Sequence, residues 1–454
     1  GLPADQLASP LARGQFDGRT TADCLVDSVK RGWMPSYPTF SRNPLDLYDE
    51  AQAAGKEPAQ HIVDSLTDGS LHYAMEDPDA PENFPRVVSV WRANILGSSG
   101  KGNEYFLKHL LGTESAIRAA ESAEGSRPRD IVWRDDAAVG KLDLLMTADF
   151  RMTSTTLFSD LVFPAATWYE KHDLSSTDMH PFIHAFSPAI NPPWQTRTDF
   201  DLFGGLAERF SEMARTHLGI RHDVVASPLQ HDTADVMSTA HGEVRDGLPL
   251  VPGTTMAKLI TVERDYPNLY ERWKSLGPLT EKLGMTTKAI TYHPDREIER
   301  LKQVNGVVTT GPYAGSVRLD TDQRACEMIL AFSGTSNGRL AVQGFRQLEK
   351  KTGQRIAQLA EDHEGAHISF RDVQIQPRSV ITSPEWSGSE HGGRRYTAFA
   401  INVEHLKPWH TLTGRQHFYL DHDWMTEIGE ALPTFRPPLN LNRLDGDQHT
   451  GAGR

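Results

Sequence analysis

Three apolar runs, each ending at a polar turn, constrain this chain more than any other feature. "RVVSVWRANIL" (86–96) leads into "GSSGKG" and then into "NEYFLKHLLG". "KLDLLMTAD" (141–149) leads into a Thr/Ser-rich turn and a third apolar run, "SDLVFPAA". The first and second runs predict buried strands. "NEYFLKHLLG" predicts a helix with Phe106, Leu107, Leu110 and Leu111 on one face and Gly112 as its C-cap. Strands alternating with helices predict an α/β fold with parallel layers.

The stretch "TDFDLFGGLAERFSEMARTHLG" (198–219) closes this region as an amphipathic helix. Phe203, Leu206, Phe210 and Met213 stand at helical spacing, and Thr198 with Asp201 resembles a capping box at its start. Upstream, Asn43 can cap a helix that opens at Pro44 and ends near Gly55, and Met75–Pro85 reads as an acidic, proline-rich linker. Residues 220–350 read as mostly helical and polar, without a chemical motif. Ser383–Tyr396 is a glycine-rich loop, after which an aromatic and histidine-containing module begins.

Composition removes several function classes. The 454 residues suggest two to four domains, and 38% hydrophobic with 24% charged residues suits a globular protein with ample core. A net charge of −13 argues against a general nucleic-acid binder. No run approaches the ~18 continuous apolar residues of a membrane span, so a membrane link would come through a partner. The two cysteines, Cys24 and Cys326, cannot supply the four thiolates of a typical iron–sulfur cluster. They imply no disulfide framework, and a reducing, intracellular setting is the milder inference. The chain opens at Gly1 without a leader and stops at "DGDQHTGAGR", so it reads as an internal piece of something longer.

In the loop Gly97–Gly102, the glycines allow tight turns and let backbone N–H groups approach a ligand. Ser98 and Ser99 offer hydroxyls, Lys101 offers a point charge, and a helix start follows Gly102. This is the physics of a phosphate cradle, though neither the Walker A spacing nor GxGxxG is present; an ordinary turn is the alternative. Asp149 ends a strand where α/β sheets bind ligands. Its carboxylate could accept from ribose hydroxyls or from the N1–H and N2–H donors of guanine, or it could simply cap the next helix. "HPFIH" sets His180 and His184 at helical i,i+4 spacing, but Pro181 and the lack of a zincin glutamate weaken a metal reading. The histidines at 405, 410, 417 and 422 show no ligand spacing.

The run "LDLLMTADFRMTSTTLFSDLVFPAATWYEKHDLSSTDMHPFIHAFSPAINPPWQTRTDFDLF" resembles the molybdopterin-dinucleotide oxidoreductases. With "WRANILGSSGKG", "TLTGRQHFYLDHDWM" and "GEALPTFRPP", it is similar more narrowly to the respiratory nitrate reductase alpha subunits. The resemblance covers nearly the whole chain and is densest over 86–201 and 386–438. It implies molybdenum held by two pterin–guanine dinucleotides, with a [4Fe-4S] cluster nearby. It also implies nitrate reduction to nitrite with quinol-derived electrons, delivered through an iron–sulfur beta subunit and a membrane cytochrome b gamma subunit, peripherally on the cytoplasmic side of the membrane. The implied cofactor contacts are Asn94, Ser98, Ser99, Gly100, Lys101, Gly102, Asp149, Lys171 and Asp199, then Thr413, Gly414, Arg415, Gln416 and His417 against a pterin. Lys101, Lys171 and Arg415 would offset pyrophosphate charge, while Asp149 and Asp199 would read a ribose or guanine donor edge.

The implied organisation is a connecting segment (1–85), then an α/β dinucleotide-binding domain with a helical insertion (86–350). A linker and the start of a β-barrel-like C-terminal domain would follow (351–454). The family's N-terminal cluster motif and the aspartate that ligates molybdenum are absent from this sequence, so no residue here is assigned as catalytic or as a metal ligand. The competing expectations are another molybdopterin oxidoreductase, acting on formate, selenate or chlorate, and a non-catalytic nucleotide-binding module.

Overall fold

The computed structural model describes residues 19–30, 40–98, 102–114, 124–177, 180–227, 248–287, 290–353 and 355–382, with single residues and short pieces elsewhere, mostly between 402 and 432. A parallel sheet is formed by β1 (Val87–Trp91), β2 (Leu144–Asp149) and β3 (Leu161–Pro164), with β2 in the middle and largely buried and both outer strands largely exposed. Val87 faces Leu144 at one end, while Trp91 faces Ala148 and Asp149 faces Pro164 at the other, so all three strands point the same way. The ladder continues beyond β3. Arg197 donates its N–H to the Pro164 carbonyl at 3.1 Å, and Ala166 donates to the Arg197 carbonyl at 2.8 Å.

The strand "RVVSVWRANIL" is shorter than its apolar run suggests. Arg92 turns into the left-handed region at φ 52°, and Ile95–Ser98 forms a short helix rather than more strand. The helix expected after the loop is a π-helical turn, Tyr105–Leu110, closed by Gly112 at φ 72°. The upstream helix Pro44–Ala53 is capped as its sequence suggests, with the Asn43 side chain accepting from the Leu45 N–H.

Three expectations are corrected. First, "HPFIH" is a strand, β5 (His180–Phe186), paired antiparallel with β4 (Asp173–Thr177) and with Arg378–Ser379. Pro181 rules out a mid-helix position there, and its carbonyl accepts from the Val380 N–H instead. Second, residues 220–350 are not mostly helical at their start. Ile220–Ser227 and Lys258–Asp265 form a long antiparallel ribbon, and Met285–Thr287 pairs with Ile290–Tyr292. Val224 and Ala226, two apart on one face of that ribbon, enter a core with Val29, Phe40, Leu47, Ile62, Leu71, Tyr73 and Ala257; period two won over composition.

Third, the helix Asp199–His217 buries a different face from the one its large apolar residues mark. Leu202, Gly204, Ala207, Ser211 and Ala214 are buried, whereas Leu206, Phe210 and Met213 are exposed. Its N-cap is as expected, with Thr198 accepting from the Asp201 N–H at 3.1 Å.

The β-barrel-like expectation rests mainly on residues beyond 382, most of which lie outside the described residues; among those described, no closed sheet occurs. Helices Asp322–Phe332 and Phe370–Ile375 share a core with Ile183 of β5. Among the described residues no helix is long and apolar enough to cross a membrane.

Candidate nucleotide site at the sheet's carboxyl edge

Parallel strands deliver their carboxyl ends to one edge, and the expected site residues described between Asn94 and Asp199 gather there. The turn after β1 carries Asn94, whose side-chain oxygen accepts from the N–H of Gly97 (3.0 Å), the N–H of Thr155 (3.3 Å) and the hydroxyl of Thr155 (3.1 Å). Asn94 therefore ties the loop after β1 to the short helix after β2. Ser98 donates its hydroxyl to the Asn94 carbonyl at 2.5 Å, and Gly102 sits exposed at φ 78°, its carbonyl accepting from Phe106. Ser99, Gly100 and Lys101 lie outside the described residues, as do Thr413, Gly414, Arg415 and His417; Gln416 is exposed.

A side chain at Gly97 would press on the Asn94 side chain. A Cβ there would lie 2.1 Å from the Asn94 amide nitrogen. Gly97→Ala is therefore expected to push Asn94 off Thr155 and cost about 1–3 kcal/mol, read as a lower thermal midpoint; an unchanged midpoint would mean the loop yields freely.

Asp149 is buried at the end of β2, and its Oδ1 accepts from the Arg151 N–H at 3.1 Å. A carboxylate has about four acceptor positions, and among the described residues only this N–H meets it. Next to it, Phe150 packs against Trp168 at 5.4 Å between ring centroids, and the guanidinium groups of Arg92 and Arg151 lie 5.6 and 4.9 Å from the Phe150 centroid. Trp168 is exposed, and so is Tyr169 next to it in the chain. A buried carboxylate met by one N–H among the described residues, beside an exposed aromatic ring, fits a planar base with paired N–H donors, so these residues fit a guanine nucleotide. Among the described residues no group of three or more His, Cys, Asp or Glu is arranged to hold a metal ion.

Lys171 and Asp199 have turned to each other. The Lys171 ammonium donates to Asp199 at 2.8 Å and to Asp173 at 2.5 Å, and its side chain is 4% exposed. Asp199 also accepts from the Trp91 indole N–H at 2.8 Å and from Arg92 Nε at 3.1 Å, and its other oxygen meets the Arg92 fork at 2.7 Å. Burial opposes the charge on Asp199, but Lys171, Trp91 and Arg92 outweigh it and hold the carboxyl below its ordinary range. Trp91 and Arg92 were not singled out from sequence. The available signal was an arginine directly after an apolar strand, at the edge where ligands bind.

The strand–loop–strand frame with these edge residues lies inside the first of two family matches. A family model described as molybdopterin oxidoreductase matches residues 47–209, and one for domain V of the nitrate reductase alpha chain matches 283–404. The chain is similar to the nitrate reductase alpha subunit of Mycobacterium tuberculosis, with 56% identity over 99% of this chain and 37% of that protein. The alpha chain of Bacillus subtilis is 45% identical over 96% of this chain and 36% of its own length. The respiratory nitrate reductase 2 alpha chain of Escherichia coli is 45% identical over 98% of this chain and 36% of its own length. The chain thus spans little more than a third of the length of these curated relatives. With two family models in chain order and a carboxyl-edge site inside the first, the chain belongs to the nitrate reductase alpha chains of the molybdopterin oxidoreductase family.

Proposed function

We propose that this chain is part of the catalytic alpha subunit of a respiratory nitrate reductase, where it holds one guanine dinucleotide of a bis(molybdopterin guanine dinucleotide) molybdenum centre. The observation that carries the reading is the carboxyl edge of β1–β3, where among the described residues only the Arg151 N–H meets the buried Asp149 carboxylate and the next residue, Phe150, packs on exposed Trp168. The 56% identity to an alpha subunit along nearly the whole chain supports it. When bound, the group would supply two-electron oxygen-atom transfer from nitrate, giving nitrite.

This chain's own residues bind and orient. Asp149 accepts from the base or ribose, Asn94 holds the β1 loop in register with the β2 turn, and Ser98 and Gly102 border the approach. Electrons would reach the centre from quinol through a [4Fe-4S] cluster outside this chain, an iron–sulfur beta subunit and a membrane cytochrome b gamma subunit, which would also anchor the enzyme on the cytoplasmic side of the membrane.

Asp149→Asn in the full-length subunit tests the site. It replaces an acceptor by an amide that opposes the ligand's donors. Because hydrogen bonds to a charged group contribute about 1.5–3 kcal/mol, retained guanine nucleotide under mild denaturant is expected to fall about tenfold. Unchanged nucleotide content would remove Asp149 from the site.

A further inference from the structure

Acceptor capacity at the carboxyl edge separates its two aspartates. Asp199 Oδ1 takes the Trp91 indole N–H and Arg92 Nε, while Oδ2 takes Lys171 and the Arg92 fork. That fills the roughly four acceptor positions of a carboxylate. Arg92 reaches further still, donating to the Ala166 carbonyl at 2.8 Å and lying against Phe150. One side chain therefore touches the segment after β2, the segment after β3 and the first residue of the helix Asp199–His217. Arg92 holds φ 52°, a backbone conformation that strains a non-glycine residue and persists only when the surroundings impose it.

We infer that Arg92 and Asp199 are a positioning pair that sets the spacing of the strand ends around the nucleotide, and that Asp199 is not itself a contact of the base. This rests on the nucleotide reading above, and it narrows that reading to Asp149 as the carboxylate that meets the ligand. Four segments far apart in sequence converge on these two side chains, through hydrogen bonds and ion pairs and, at Phe150, through a cation–π contact. Loosening the pair would let the helix start and the β3 extension drift from Asp149 without removing any group that the ligand touches.

Among the described residues, the charged groups facing Asp199 are Arg92 after β1 and Lys171 before β4, with Asp173 behind Lys171. Arg92→Gln removes one of the two cations, so Asp199 takes up a proton at a higher pH. Nucleotide release during acid titration should move upward with it.

The test uses the full-length subunit, with acid-released guanine nucleotide and its release midpoint in pH as readouts. Arg92→Gln and Asp199→Asn are each expected to lower retained nucleotide about tenfold. The double variant should be no worse than either single one, whereas Asp149→Asn combined with Arg92→Gln should lose the product of the two effects. Arg92→Lys should rescue only in part, because an ammonium cannot span both Asp199 oxygens and the Ala166 carbonyl. Should Arg92→Gln prevent folding, Trp91→Phe removes a single donor from Asp199 and should raise the release midpoint alone.

Multiplicative losses for Arg92→Gln with Asp199→Asn, or a release midpoint unmoved by both Arg92→Gln and Trp91→Phe, would overturn the pairing. A native subunit without guanine nucleotide would overturn the nucleotide reading itself, which distinguishes the two failures.

Discussion

Gly338→Ala is expected to destabilise the protein by about 3 kcal/mol or more, because the new methyl has no room that a side chain could vacate. A Cβ at Gly338 would lie 1.7 Å from the His363 carbonyl oxygen and 2.6 Å from its carbon. Those are backbone atoms, so the start of the helix Gly338–Thr352 must part from the 363–366 turn. The separation breaks the Gly338 N–H bond to the Ala366 carbonyl at 3.0 Å and strains the Asn337 cap. Asn337 also donates to Glu297 at 3.1 Å and to the Ala331 carbonyl at 2.9 Å, so the damage reaches two further helices. Denaturant unfolding of Gly338→Ala beside Gly365→Ala checks this. Gly365 has no neighbour within 4 Å of its Cβ position and is not at positive φ, and its alanine variant should stay within about 0.5 kcal/mol of the native protein. Equal stability of the two variants would contradict the clash.

Lys171→Met is expected to cost about 3 kcal/mol at neutral pH, the scale for removing one partner of a buried ion pair. Methionine matches the stem but leaves Asp199, 13% exposed at its side chain, with only Arg92 and Trp91. The sign with pH follows from linkage. Asp199 is held below the ordinary aspartate value of 3.8, so its ionised form stabilises the fold above that value, and the contribution is lost as pH falls through the lower, folded-state pKa. The gap between native and Lys171→Met should therefore be full at pH 7 and narrow below about pH 4. A gap that stays constant through the acid range would mean that the loss is packing rather than charge.

Much of the site's frame was legible locally. Apolar runs that stop at polar turns marked β1 and β2, and they placed Asp149 at a strand end. The caps at Asn43 and Thr198 could be read because a cap is a contact within three residues. The face of the helix Asp199–His217 could not. Large apolar side chains suggested one stripe, but Trp273 approaches so closely that a Cβ on Gly204 would lie 3.1 Å from its indole nitrogen, and Tyr270 donates its N–H to Ser211 at 2.9 Å. Small residues are buried there because the partner comes close, and no pattern within the helix announces that.

By itself the sequence determined that β2 ends at Asp149 and that Asn43 and Thr198 cap the helices after them, since these depend on neighbours in the chain; it did not determine where β1 ends, which is at Trp91, short of its apolar run. Only the tertiary structure decided that Ile220–Ser227 pairs with a distant strand, from Asp265 back to Lys258. It also decided that Lys171 and Asp199, 28 residues apart, satisfy each other, and that Arg92 joins them. Those choices turn on which charges and surfaces meet after folding, because a buried ion needs its partner at hydrogen-bond distance and sequence spacing does not encode that distance.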